Sequence, residues 1–269
     1  MSAILVGESV SKHFGGLKAV DGVDFHLDEG EILGLIGPNG AGKTTLFSVA
    51  AGSTRPTAGR VLLEGRKVSG RSAHGSVHLG ICRTHQIVRP FARLTVLENV
   101  LVGHYHGRPG SGGGGDPRRV AMEILDFIGL GGRAERLPGE LTPAGRKRLE
   151  IARALATGPR VLLLDEVVAG LTPVESTALV ELIRRIRDRG VSIIMIEHVM
   201  NAVMSLSDRV IVLDHGRKIA EGLPAQVAAD QRVIEAYLGT DDEVGSEPAG
   251  AAAPPAADDP AGTVDGEGR

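Results

Sequence analysis

Gly37-Pro38-Asn39-Gly40-Ala41-Gly42-Lys43-Thr44 fits the pattern G-x-x-x-x-G-K-[S/T], and its neighbours decide what the match is worth. An apolar run from Glu31 to Ile36 precedes it, and a helix-compatible segment from Thr45 to Ala51 follows. Strand, loop and helix in that order are the setting a phosphate-binding loop requires. Glycines let backbone N–H groups converge on phosphate oxygens, and the helix start adds the positive end of its dipole. Lys43 brings a mobile charge to the β- and γ-phosphates, and Thr44 supplies a hydroxyl for Mg2+. Asn39, Gly40, Gly42 and Thr45 complete the cradle expected around the nucleotide.

Further continuous apolar runs lie at Val161 to Leu164, Val191 to Ile196 and Val210 to Leu213, as expected of strands buried on both faces of a mainly parallel sheet. Between them Leu179, Leu182, Ile183 and Ile186 recur at helical spacing beside Arg184, Arg185 and Arg187. That is an amphipathic helix, so the series reads as strand, helix, strand. The stretch from about 87 to 157 differs. Val120, Ile124, Phe127 and Ile128 mark one helix, Arg146 to Leu155 a second, and no strand run separates them, which points to a helical subdomain inserted in the α/β core. Gly107 to Gly115 within it reads as a flexible surface loop, because its glycines bring backbone freedom and no side chains to pack, and it is not expected to be a phosphate loop, because no Lys or helix start is read after it.

Composition narrows the class. Of 269 residues, 42% are hydrophobic and 23% charged, ordinary for a globular chain, while 3% aromatic residues and no Trp argue against a base-stacking nucleic-acid platform. Cys82 is the only cysteine, so no intrachain disulfide can form, and a small buried hydrophobe is its expected role. No apolar run approaches the roughly 18–20 residues that span a bilayer, so a cytoplasmic protein is expected. The formal charge of −3 hides an asymmetry: residues 241–269 carry eight acids and one Arg, leaving a body of about +4. That tail, rich in Ala, Pro, Gly and acids, holds too little apolar surface to order itself and is set apart from a folded region of 1–240.

Val161-Leu162-Leu163-Leu164-Asp165-Glu166 ends a buried strand in adjacent carboxylates, an expensive position for charge unless a cation or a catalytic task awaits it. Asp165 suits Mg2+, directly or through water. Glu166, on the opposite side of an extended chain, is the candidate general base for an attacking water.

Phosphate loop and acidic motif, about 120 residues apart with helices between, resemble the ABC ATPase family. Gln86, the helix R-K-R-L-E-I-A-R-A-L over Arg146 to Leu155, and Ile196-Glu197-His198 stand where that family has its glutamine loop, signature helix and switch histidine. The resemblance implies a phosphate-loop NTPase core with an antiparallel β part near the N-terminus, and a head-to-tail dimer with a second ATPase subunit, the same or related. It also implies ATP and Mg2+ as ligands, Gln86 in the Mg2+ and water shell, and His198 at the γ-phosphate. Phe14 in Lys12-His13-Phe14-Gly15-Gly16 is similar to the family's adenine-stacking aromatic, against the alternative of a core Phe near the first strand. His104 and His106 lack a third ligand nearby, so no metal other than Mg2+ is expected.

A finer resemblance is to ATPases of branched-chain amino-acid importers, carried by Phe14 to Val20, Arg83 to Val88, Leu94 to Gly103 and Val233 to Gly239. It implies a transmembrane permease as partner, an extracytoplasmic solute-binding protein acting through it, attachment to the inner membrane face, and no nucleic acid. The chain departs from the family at Leu141-Thr142-Pro143-Ala144-Gly145, aligned with L-S-G-G-Q. Thr142 keeps a hydroxyl for the partner subunit's ATP and Gly145 takes the glutamine's place, while Pro143 removes one N–H. Val167, Thr172 and Val199 also replace common family residues, none of them catalytic. Two rivals to a transport ATPase remain: a soluble ABC-type ATPase acting on DNA or ribosomes, for which no coiled coil or basic patch is visible, and a regulatory subunit with impaired hydrolysis.

Overall fold

The structure is a computed structural model that describes residues 2–84, 90–110 and 115–238. Its first part runs β1 (Ala3–Phe14), β2 (Leu17–Asp28), β3 (Ile32–Ile36), α1 (Lys43–Ala50), β4 (Ala58–Leu63), β5 (Arg66–Lys67), α2 (Ala73–Leu79) and β6 (Ile81–Arg83). Helices α3 (Val96–Tyr105), α4 (Pro117–Ile128) and α5 (Pro143–Ala156) follow before the chain returns to strand at β7 (Val161–Asp165). It continues through α6 (Pro173–Arg187), β8 (Ser192–Ile196), α7 (Met200–Leu206), β9 (Arg209–Asp214), β10 (Arg217–Gly222), α8 (Pro224–Ala228) and α9 (Gln231–Leu238).

Six strands form one sheet in the order β10-β9-β3-β8-β7-β6, parallel throughout except for β10. A second, antiparallel sheet takes the order β2-β1-β4-β5. Each continuous apolar run supplies two cores at once, because successive side chains of a strand face opposite ways. In β7, Val161 and Leu163 join the core shared with α1 and the antiparallel sheet, whereas Leu162 and Leu164 join the core under α3, α4, α5 and α6. β8 divides likewise, Ile194 and Ile196 to the first and Ile193 and Met195 to the second. Phe47 of α1, 1% exposed, lies between the two sheets. Cys82 is buried as expected, and burial pushes its thiol pKa up.

Element boundaries differ from expectation in instructive ways. The strand expected from Glu31 begins at Ile32, because the Glu31 carboxylate accepts the Asp28 N–H at 2.7 Å and pairs with Arg209 at 2.9 Å. α1 begins at Lys43 rather than Thr45, so the last residues of the phosphate loop are already helical. A third helix, α3, occupies the segment where two were expected. Its start is written in a capping box: the Thr95 hydroxyl accepts the Glu98 N–H at 3.1 Å and the Glu98 carboxylate accepts the Thr95 N–H at 2.7 Å. Gln86, four residues of the Gly-rich loop at 111–114, and the tail from 239 onward lie outside the described residues.

Asn99 of α3 is fully buried and ties down the chain that enters this helix. Its Oδ1 accepts the Phe91 N–H at 2.8 Å, and its amide faces the carbonyls of Phe91, Leu94 and Thr95 at 2.9 to 3.1 Å. Replacing it by Ala strands these groups away from water. Asn99→Ala is expected to lower unfolding free energy by roughly 2–4 kcal/mol, read as a drop in the urea midpoint; an unchanged midpoint would show that the loop is held elsewhere.

Candidate functional site

Ligands of open parallel sheets sit beyond the carboxyl ends of the strands, and the adjacent strands β3, β8 and β7 deliver the expected residues there. The loop after β3 is shaped by close backbone approach. Gly37 has φ 147° and a Cβ there would meet the Leu213 carbonyl oxygen at 2.0 Å; Gly42 has φ 95° and a Cβ would meet the Ala19 carbonyl oxygen at 2.2 Å. Only glycine fits either position. Lys43 turns inward, its Nζ donating to the Gly37 and Pro38 carbonyls at 2.7 Å each. Burial lowers the pKa of this ammonium and the charge of Glu166 opposes the shift.

Phe14, Asn39, Gly40, Gly42, Lys43, Thr44, Thr45, Glu166 and His198 line one cavity of about 670 Å3. Phe14 is 53% exposed at its rim, so it is not the core residue that the alternative required. His215 also lines the cavity and escaped the sequence reading; its signal is the tight Asp214-His215-Gly216 turn between β9 and β10, with φ 42° at His215.

Glu166 adopts φ 49°, a left-handed conformation that a residue with a Cβ takes only when its surroundings fix it. Its N–H donates to the Ile196 carbonyl at 2.9 Å, and its Oε1 lies 2.7 Å from His198 Nε2. The predicted base and switch histidine therefore touch. Asp165 stands behind the cavity, 5% exposed, with its carboxylate 2.6 Å from the Arg83 guanidinium. Arg83 also donates to Ser48 Oγ at 2.7 Å and lies over the Phe47 ring. This pair was missed in the sequence, where Arg83 stands out only as the first residue of the Arg83 to Val88 segment and has no assigned partner.

Thr142 and Gly145 do not line the cavity. They start α5, where the Thr142 hydroxyl accepts the Gly145 N–H at 3.1 Å as helix N-cap. Pro143 occupies the first helical position, whose N–H would have no partner inside the helix anyway. Glu197, 1% exposed between the switch strand and His198, was given no role by the sequence. Its Oε1 accepts the Val168 N–H at 2.7 Å while Oε2 makes no hydrogen bond, and burial pushes its pKa up to about 7. Among the described residues no group of three or more His, Cys, Asp or Glu is arranged to hold a metal ion.

The chain is similar to known proteins in sequence and fold. Residues 20–169 match the family model described as ABC transporter, and residues 217–243 match that of the branched-chain amino acid ATP-binding cassette transporter. The chain is 40% identical over 249 residues to the high-affinity branched-chain amino acid transport ATP-binding protein BraF of Pseudomonas aeruginosa, covering 88% of this chain and 98% of that protein. It is 43% identical over 239 residues to the corresponding Escherichia coli protein LivG, covering 84% and 94%. A solved ATP-binding cassette of an ABC transporter in its ADP conformation superposes with a TM-score of 0.80 at 33% identity, over 89% of this chain and all of that one. A nucleotide-free cassette gives 0.79 at 32%, over 88% and 99%.

The Glu197 carboxyl holds its proton in the folded chain up to about pH 7, against 4.5 ordinarily, so between these values the folded state binds more protons than the unfolded one. Its contribution to stability therefore falls as pH rises through that window. Glu197→Gln mimics the neutral form. As pH drops from 8 to 5 the parent should gain about 2–3 kcal/mol relative to this variant; parallel stability curves across that range would refute the shift.

Proposed function

Because the chain belongs to the ABC transporter family, we propose that it is the ATP-binding and ATP-hydrolysing subunit of an importer, driving a separate transmembrane permease for branched-chain or related amino acids. The observation that carries this reading is the convergence of Lys43, Glu166 and His198 on one cavity, with Glu166 Oε1 2.7 Å from His198 Nε2. Residues 1–240 are taken as the ATPase, with the helices of about 87–157 as an inserted subdomain and 241–269 as a separate acidic tail. No helix among the described residues is long and apolar enough to cross a membrane, which suits a subunit attached to the inner membrane face through its permease. An extracytoplasmic solute-binding protein would deliver the amino acid to the permease.

ATP lies in this reading with its base against the exposed Phe14 ring and its phosphates in the loop from Gly37 to Thr45. Backbone N–H groups and the start of α1 meet the phosphate charge, and Lys43 exchanges its loop carbonyls for phosphate oxygens. The Thr44 hydroxyl and the Asp165 carboxylate are hard oxygen donors of the kind Mg2+ takes, and Asp165 is one of the few buried acids in the fold. Gln86 is assigned to the same shell. Bound Mg2+ would supply charge neutralisation at the phosphates. The Arg83 partner of Asp165 keeps that buried carboxylate compensated.

Glu166 takes a proton from water as the water oxygen bonds to the γ-phosphorus and the β,γ-bridging bond breaks, releasing ADP. His198 holds the Glu166 carboxylate on one side and faces the cavity on the other, so it orients the base at the γ-phosphate. Catalysis of this kind is positioning and electrostatics. A second subunit, identical or related, would contribute its Thr142 and Gly145 segment to the ATP. The Thr142 oxygen already accepts from Gly145, which leaves the hydroxyl hydrogen to donate, and Pro143 at the first helical position leaves α5 intact. Both features favour a competent signature loop over a regulatory subunit.

Phosphate release from Mg2+-ATP, measured with the permease co-expressed, should fall about 100-fold or more in Glu166→Gln. Nucleotide binding should persist there, with an ATP-stabilised dimer in light scattering, and weaken in Lys43→Ala. A parent chain that binds ATP but hydrolyses none, permease included, would overturn the reading.

A further inference from the structure

Glu166, with its strained backbone, is the first residue of a short turn, three of whose backbone polar groups are held by two charged residues without an assigned role. Lys147, one turn into α5 from Thr142, donates its Nζ to the Glu166 carbonyl at 3.1 Å and to the Ala169 carbonyl. From the opposite side Glu197 Oε1 accepts the Val168 N–H at 2.7 Å, and the Glu166 N–H goes to Ile196, the last residue of β8. Turn residues 166, 168 and 169 are thus fixed from α5 on one side and from the switch strand on the other.

Neither residue is an inexpensive way to hold a loop. Burial lowers the Lys147 ammonium pKa, opposed by the charges of Glu197, Glu150 and Glu166. Glu197 is almost inaccessible, with one carboxylate oxygen unpartnered. A partly buried ammonium facing a buried carboxyl is rarely a net gain in stability. Their geometry nevertheless fixes a conformation at Glu166 that the residue does not choose for itself, with φ 49°.

We propose that Lys147 and Glu197 are positioning residues that clamp the turn 166–169 from two sides, setting the Glu166 carboxylate against His198 and linking it to the helix that begins at Thr142. Neither lines the cavity assigned to the nucleotide. Movement of the signature helix against the sheet would pull on the Glu166 and Ala169 carbonyls through Lys147, so the clamp couples that helix to the base. The inference rests on the proposed role of Glu166 as base.

The test uses the full chain assembled with its permease, and four variants. In Lys147→Met and Glu197→Ala, kcat for Mg2+-ATP should drop at least tenfold with KM within threefold. Lys147→Arg and Glu197→Gln, which keep a donor and an acceptor, should stay within threefold of the parent in both. Amide hydrogen exchange of the nucleotide-free protein gives a readout independent of chemistry: exchange at Val168 should accelerate at least tenfold in Glu197→Ala, with β7 still protected. Unchanged exchange there, kcat within threefold in both disruptive variants, or a loss confined to KM would each overturn the clamp. Glu166→Gln run alongside separates the two ideas, because full hydrolysis by that variant sinks the base assignment while the exchange result still decides the clamp.

Discussion

Strands β3, β7 and β8 present apolar side chains to both faces of the sheet, so the first position at which any of them carries a charge comes after its last apolar core residue. Val161 and Leu163 face one core and Leu162 and Leu164 the other, and only then come Asp165 and Glu166. β8 spends Ile193 to Ile196 in the same way before Glu197 and His198. β3 ends at Ile36 and hands over to the phosphate loop. Because these three strands are neighbours in one parallel sheet, their ends lie side by side, and a cavity lined by Lys43, Glu166 and His198 is the geometric consequence.

Charges that do enter the interior are compensated across elements far apart in the chain. Arg83 meets Asp165, Arg209 meets Glu31, and Lys147 reaches the turn that Glu197 holds from behind. Removing the arginine of either ion pair, Arg83–Asp165 or Arg209–Glu31, leaves a buried carboxylate alone, which is why these contacts fix relative positions of elements even where they add little net stability. The pairs thereby connect the end of β6, the start of α5 and the switch strand to the same few residues of the site.

The altered signature segment is less disruptive in three dimensions than its letters suggest. Two missing glycines and a proline look hostile to close backbone approach. At the start of a helix, however, Thr142 is a favoured cap and Pro143 sits where its missing N–H is not needed by the helix. Local helix physics preserves α5, from which Lys147 extends to the turn that begins at Glu166.

The sequence by itself determined what short-range pattern encodes: strands β3, β7, β8 and β9 from their unbroken apolar runs, α6 from its helical spacing, and the phosphate loop and acidic motif from residue types at fixed offsets. α3 was legible in principle, through Thr95 and Glu98, though its apolar spacing is too dense to separate helix from strand. Partnerships were not legible. Arg83 finds Asp165 because β6 and β7 align Arg83 with Leu163, and Asp165 is the next residue of that strand on the same face. Glu197 takes the Val168 N–H because β8 ends beside β7. Only the tertiary structure decided these contacts, since strand register and helix docking are set by burying two cores at once, and no local pattern in the chain records which distant residues that burial brings face to face.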